Sequence, residues 1–335
     1  MSEQRSGGLR EAVRHVQVTE EYAGQRLDNF LKRLLNEVPR SHVYRLVRRG
    51  EVRVNGRRAS PDQRLQAHDT VRVPPVRTAP AAGPARVPPQ LIETVRKAIV
   101  MEDERLIVID KPAGIAVHGG SGLSFGVIEA LRAMRPHETL ELVHRLDRDT
   151  SGCLLVARKP GALRTLHALL REGRFEKRYL VLVRGKWELG RKRIDVPLRT
   201  DIRVGGERTV KAHPSGKPAV TEFRPVQFFG RRATLLEADI HTGRTHQIRV
   251  HAAHAGHPVA GDEKYGDDEF NASMREFGLT RMFLHAHSVS FEWPQGEPFS
   301  VNTPLPADLS AVLDRLSGPV RGGEGRRGAR RRRAR

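Results

Sequence analysis

Between residues 144 and 152 the chain reads His144-Arg145-Leu146-Asp147-Arg148-Asp149-Thr150-Ser151-Gly152, which sets two carboxylates among two guanidinium groups. On either side, Leu140 to Val143 and Cys153 to Ala157 are apolar runs that predict buried strands. A polar loop between two core strands can aim side chains at a ligand while a rigid scaffold holds its ends. Neighbouring arginines favour the charged form of an Asp. The loop therefore offers an ionised carboxylate, the group needed for covalent attack or for proton removal. The same pattern describes a structural ion-pair corner equally well, and the residue types alone leave both readings open.

Other clusters offer less. His241, His246, His251, His254 and His257 crowd one segment, but it contains no His-Glu-x-x-His arrangement and the chain has a single cysteine, so no metal site is expected. Gly119-Gly120-Ser121-Gly122 lacks the Gly-Lys-Ser or Gly-Lys-Thr ending of a nucleotide-phosphate cradle and reads as a plain loop. Cys153 begins the apolar run Cys153-Leu154-Leu155-Val156 and reads as a core residue; as the only cysteine it excludes a disulfide framework.

The elements that must position the loop lie mostly between Lys97 and Ser317. Short strands are expected over Leu106–Ile109, Cys153–Ala157, Tyr179–Val183 and Ala233–Ile240, and helices near Phe125–Met134 and Ala162–Leu170. This is an α+β pattern, and it predicts a larger domain over residues 97–318. A smaller domain is expected over residues 21–75, made of two helices and short strands. Leu27, Phe30, Leu31, Leu34 and Leu35 recur at helical spacing within Arg26–Glu37. Pro39 breaks that helix, and Ser41 is placed to cap a second one that carries Val43, Leu46 and Val47 and stops at Gly50. Val52 and Val54 alternate with charged residues before the turn Asn55-Gly56, and Val71 and Val73 alternate further on. Residues 1–20 read as a polar leader and 76–96 as a Pro/Ala-rich linker. Residues 319–335 read as a disordered tail, since the last fifteen hold eight Arg and one Glu.

Lys and Arg total 59 against 39 Asp and Glu, a net charge of +20, which points to a polyanionic partner and first of all to nucleic acid. Arg40, Arg45, Arg48, Arg49, Arg57 and Arg58 concentrate one sign of charge around the second helix and the turn that follows, as phosphate binding requires. Aromatic residues make up only 5% of the chain, so arginine rather than a stacking platform must carry the affinity. The opening MSEQRSGGLREAVRHV has no apolar core of a signal peptide, and no run of about 18 apolar residues occurs. A cytoplasmic, soluble protein without membrane attachment is expected.

Several segments resemble known families. Gln25-Arg26-Leu27-Asp28 and Gly50-Glu51-Val52-Arg53-Val54-Asn55-Gly56 look like the S4-type RNA-binding domain, which implies that the helix pair grips structured RNA. His144 to Gly152 is similar to the signature of the RluA-type pseudouridine synthases. Lys111-Pro112-Ala113-Gly114, Lys177-Arg178-Tyr179 and Gly243-Arg244-Thr245-His246-Gln247-Ile248-Arg249-Val250-His251 match three further motifs of that family in its order. Val117 to Gly126 resembles the branch that acts on large-subunit ribosomal RNA.

The resemblance implies a bent, mixed, largely antiparallel sheet with peripheral helices around a central cleft. It implies isomerisation of specific uridines in large-subunit ribosomal RNA, at several separated sites, without any cofactor. Asp147 would be the catalytic carboxylate, with Arg249 paired to it and keeping it ionised. Tyr179 would close the pocket against the base and is a candidate for proton abstraction. Arg145 would enter the stack vacated by a flipped uridine, and His144, Arg244 and Lys111 would contact RNA or the flipped base. The implied partner is large-subunit ribosomal RNA or an assembly intermediate, and the implied state a monomer. A rival reading, a non-catalytic ribosome-assembly factor with a vestigial synthase domain, calls for a lost aspartate, and Asp147 is present. A metal-dependent nuclease calls for a carboxylate cluster that the sequence lacks.

Overall fold

The computed structural model describes residues 13–35, 38, 40–76, 87–119, 125–202 and 208–318. The start of the polar leader, residues 77–86 of the linker, Gly120 to Ser124, the Arg-rich tail and the side chain of Arg40 lie outside the described residues. The chain divides into two compact units, one of residues up to Pro88 together with Lys159–Arg164, the other of the remainder.

In the first unit the helical spacing of apolar residues forms α1, Leu27–Leu34, which buries Leu27, Phe30 and Leu31. Helix α2, Arg40–Arg48, contributes Val43, Leu46 and Val47 to the same core. It is followed by Gly50 at φ +72, a left-handed turn that glycine adopts without a Cβ clash. Strands β1 (Arg14–Gln17), β2 (Arg53–Val54), β3 (Arg57–Arg58) and β4 (Thr70–Val73) form an antiparallel sheet in the order β1-β4-β2-β3. The reading of residues 1–20 as a leader is corrected at its end. Arg14–Gln17 pairs along Thr70–Val73 and Val18 is fully buried. One alternation over four residues is too short for a periodic signal, so only the partner strand reveals it.

The second unit opens with α3, Pro89–Lys97, where a linker is expected as far as residue 96. Proline is accommodated in the first helical turn, and Val95 is the residue that this helix buries. Then follow β5 (Ile99–Glu102), β6 (Leu106–Lys111), α4 (Val127–Met134), β7 (Glu141–Leu142), β8 (Ser151–Ala157), α5 (Pro160–Arg171) and β9 (Phe175–Arg184). Next come β10 (Lys192–Asp195), β11 (Leu198–Ile202), β12 (Arg208–Ala212), β13 (Val220–Phe229), β14 (Ala233–Ile240), α6 (Gln247–His254) and α7 (Asp268–Glu276). Last are β15 (Leu284–Glu292), β16 (Pro298–Asn302) and α8 (Ala307–Ser317).

The main sheet runs β10-β13-β14-β9-β15-β8-β6-β5, with β7 added to β8 and β16 to β15, while β11 and β12 pair separately. It is mixed and largely antiparallel, as the resemblance implies, and its one parallel pairing is β15 with β8. All seven residues of β8 are buried, which makes this strand the rigid end of the loop that carries Asp147. No helix among the described residues is long and apolar enough to cross a membrane.

The parallel pairing depends on Gly152. It lies opposite Ala286, at φ +110, where a Cβ would stand 2.2 Å from the Ala286 carbonyl oxygen. Gly152→Ala is therefore expected to destabilise the protein by about 2 to 4 kcal/mol through backbone strain, or to prevent folding. Urea unfolding of the full chain measures the loss.

Candidate active site

The loop between β7 and β8 is tied down at both ends. Leu155 N–H donates to His144 Nε2 at 3.2 Å, and Val143 N–H to the Leu155 carbonyl at 3.0 Å. Burial pushes the pKa of His144 down to about 3, so its ring is the neutral acceptor that this bond needs. Lys111 fixes the other end: its Nζ donates to the carbonyls of Pro112, Ile115 and Arg148 at 3.0, 2.8 and 2.9 Å. The expectation that Lys111 contacts RNA is thereby corrected. It is fully buried, burial lowers its pKa to about 7, and its three donors are spent on backbone.

The flanking arginines do not serve Asp147. Arg148 turns to Asp149 at 3.2 Å, and Arg145 is exposed beside the cavity described below. The guanidinium at Asp147 comes from α6, where Arg249 Nη1 donates to Oδ2 at 3.2 Å. Arg249 is itself gripped by Asp262, with Nε and Nη2 each 2.7 Å from a carboxylate oxygen. The Asp262 side chain has no exposure and also accepts the backbone N–H groups of Lys264 and Tyr265. Burial opposes its charge, and Arg249 with the two N–H groups outweighs that and lowers its pKa. Burial likewise opposes the charge of Arg249, and the two carboxylates more than offset it.

The turn before α6 is built around Gln247. Its amide donates to Val220 O and Thr221 Oγ1 and accepts from Thr242 Oγ1 and Arg244 N–H, so all four of its bonds are made. His251, one helical turn on, bonds Thr221 Oγ1 and Val196 O. His246 is left at φ +54, 3.8 Å from Asp147 Oδ2, with Nδ1 2.8 Å from the Tyr265 hydroxyl. Burial pushes its pKa down against the Asp147 charge. Among the described residues no three His, Cys, Asp or Glu side chains are grouped to hold a metal ion.

Asp147 and Arg249 lie in the wall of a cavity of 760 Å³, together with Tyr179, Lys177, Ile248 and Leu284. Tyr179 is buried, and burial and then the charge of Asp147 raise its pKa. It stands there as a neutral phenol. Arg145 and Arg244 line the same cavity and are exposed; Arg244 Nε also bonds Pro218 O at 3.0 Å. Gln247 lies inside the Gly243 to His251 motif without an expected role there, and Asp262 and Tyr265 escape sequence reasoning. The signal of these two is Gly261-Asp262 followed by Tyr265-Gly266, where a Cβ on Gly261 would stand 2.3 Å from Arg281 O and one on Gly266 1.9 Å from Asp262 O.

In the first unit Arg45, Arg48, Arg49, Arg57 and Arg58 are all exposed. Arg45 and Arg48 sit in the last turn of α2, and Arg58 on β3 donates back to the Arg48 carbonyl, which caps the helix. Arg49 approaches Glu51 at 4.0 Å, an exposed pair of little energetic weight. The helix is itself held by Asp28, which is buried and accepts from Arg26 and from the Tyr44 hydroxyl at 2.7 Å.

Residues 105–254 match the family model of RNA pseudouridylate synthase, and residues 25–71 match that of the S4 domain. Ribosomal large subunit pseudouridine synthase C of Pasteurella multocida (strain Pm70) is 51% identical over 311 residues, which span 92% of this chain and 95% of that protein. The protein of the same name from Escherichia coli (strain K12) is 49% identical over 310 residues, 91% of this chain and 97% of its own. Among solved structures, human RNA pseudouridylate synthase domain containing 1 is similar with a TM-score of 0.53 at 29% identity, covering 64% of this chain and 86% of that chain.

Removing one partner of a buried ion pair leaves the other charge uncompensated. Asp262→Asn is expected to cost about 3 kcal/mol in urea unfolding. Arg249→Met combined with Asp262→Asn should lose less than the sum of the two single variants, because the cation and the fully buried carboxylate go together and only the part-exposed Asp147 loses its partner.

Proposed function

The chain belongs to the RNA pseudouridylate synthase family, and from that premise we propose that it converts uridine to pseudouridine in large-subunit ribosomal RNA, at several separated sites. The observation that carries this reading is the Asp147 carboxylate, held by Arg249 at 3.2 Å in the wall of a cavity of a size to take one nucleotide. Isomerisation breaks the bond from ribose C1′ to uracil N1 and rejoins the base through C5. No atom enters or leaves, so the reaction needs a carboxylate, a fixed positive charge and an enclosed pocket rather than an external reagent.

A stacked uridine cannot reach Asp147, so it is flipped into the cavity at a cost of a few kcal/mol. Arg145, exposed beside the cavity, fills the vacated stack, since a guanidinium plane both stacks and hydrogen-bonds. Arg244 meets phosphate. Asp147 acts at the ribose, by attack on C1′ or by removal of a ribose proton. Tyr179 packs against the base; with its pKa raised it serves as a phenol rather than as the proton acceptor. His144 and Lys111 hold the catalytic loop in place. The S4 domain binds structured ribosomal RNA through Arg45, Arg48, Arg49, Arg57 and Arg58, with Arg40 as a further candidate. The enzyme works as a cytoplasmic monomer, on ribosomal RNA or an assembly intermediate.

Asp147→Asn removes the reactive charge with little change in volume. Tritium release from RNA labelled at uracil C5 should fall at least about a hundredfold while RNA binding stays within a few-fold. Activity within tenfold of wild type would rule out Asp147 as the catalyst.

Arg45, Arg48 and Arg49 carry charge on a folded surface, so changing all three to Gln should weaken binding to cognate ribosomal RNA fragments more than to random RNA. The log–log salt slope should drop by about 0.7 to 0.9 for each phosphate that the variant no longer neutralises. Titrations at several salt concentrations check both effects; unchanged discrimination would place specificity in the catalytic cleft alone.

A further inference from the structure

Lys177 lies in the wall of the cavity with Asp147 and Tyr179, and the steps above leave it unused. It precedes Tyr179 by two residues on β9, so both side chains leave the same face of the strand. Only 7% of the residue is exposed. Among the described residues no protein group accepts a hydrogen bond from its ammonium and no carboxylate lies within ion-pair distance, so the group faces the cavity. Asp239 on β14 acts on it only through longer-range charge, and His144 faces it as a neutral ring. Burial lowers its pKa to about 8.

The contrast with Lys111 is informative. Both lysines are buried in one domain, but Lys111 is satisfied by three carbonyls, whereas Lys177 opens onto the cavity with three donors unspent. The Lys177 stem is buried while its ammonium opens onto the cavity, so a ligand entering there can supply the acceptor that the protein does not.

Which acceptor follows from depth and from chemistry. Phosphates remain on the strand outside, where the exposed Arg244 meets them, while the base alone enters. When the C1′–N1 bond breaks, its electron pair leaves with the base, and the negative charge spreads from N1 onto the two uracil carbonyl oxygens. We propose that Lys177 is a catalytic residue whose ammonium group hydrogen-bonds a carbonyl oxygen of the flipped uracil and stabilises the base as an anion while it is detached from the ribose. The anion then gives an electron pair from C5 to C1′; the C5 proton is lost, N1 gains one, and Lys177 ends the cycle as it began. A fixed donor aimed at charge that develops only during reaction lowers the barrier without tightening substrate binding.

This inference rests on the proposed synthase activity, so its test carries two controls. Wild-type protein must form pseudouridine in large-subunit ribosomal RNA, or the proposed function fails; Asp147→Asn must not, or the assignment of the site fails. With both satisfied, Lys177→Met is compared with wild type by single-turnover tritium release, RNA binding and urea unfolding. The expected result is a chemical rate lower by at least about a hundredfold, as for loss of an oxyanion donor, with RNA affinity within about threefold and stability unchanged or raised. A rate within about threefold of wild type overturns the proposal, and so does a loss of RNA affinity that accounts for the whole loss of rate, which would mark Lys177 as a phosphate ligand. Should Lys177→Met not fold, Lys177→Gln, which keeps a polar head, is judged by the same rate and affinity criteria.

Discussion

Arg249 has one guanidinium and two carboxylates to satisfy. Asp262 takes two of its N–H groups at 2.7 Å and Asp147 takes one at 3.2 Å, so the deeper acid anchors the cation and the shallower one receives what remains. The asymmetry follows from burial: a carboxylate with no exposure must be fully paired, whereas Asp147, 28% exposed, can leave an oxygen toward the cavity. Much of the domain exists to hold this arrangement. Gln247 and His251 fasten α6 to β13, Gly261 and Gly266 let the Asp262 turn fold against its neighbours, and Gly152 lets β8 approach β15.

The same economy governs the other buried charges. Lys111 joins two loops because its ammonium donates to backbone carbonyls from both, and Tyr179 stays neutral because it is buried and already faces a carboxylate. A site of this kind works by pre-organisation: its dipoles and charges are in place before the substrate arrives, and little reorganisation is needed as charge shifts from ribose to base. The His246 ring, held by the Tyr265 hydroxyl and lying 3.8 Å from Asp147, belongs to the same frame.

The proposed RNA grip and the proposed chemistry draw on different physics. The exposed arginines around α2 act over a Debye length, tolerate small displacements and respond to salt. The buried groups act at hydrogen-bond distance and tolerate almost none.

Local pattern was enough for much of this protein. Helical spacing over Leu27 to Leu34 placed α1 and the apolar run from Cys153 to Ala157 placed β8, while the charged loop before it offered Asp147 and Asp149 together and the family resemblance chose Asp147. Such signals survive in a sequence because they depend on neighbours one to four residues apart. Where the signal was short, as at Arg14–Gln17, or masked by proline, as at Pro89–Lys97, composition misled and the partner element decided. The partners of the buried charges were not legible at all. Arg148 and Arg145 are the near neighbours of Asp147, yet its guanidinium comes from 102 residues away and is oriented by an aspartate a further 13 residues on. Lys111 and Lys177 read alike as basic residues in a basic chain, and only the folded backbone gave one of them three carbonyls and the other an open cavity. The free energy of a charge depends on what lies within a few ångströms of it, and that neighbourhood comes into being only when distant strands and helices pack.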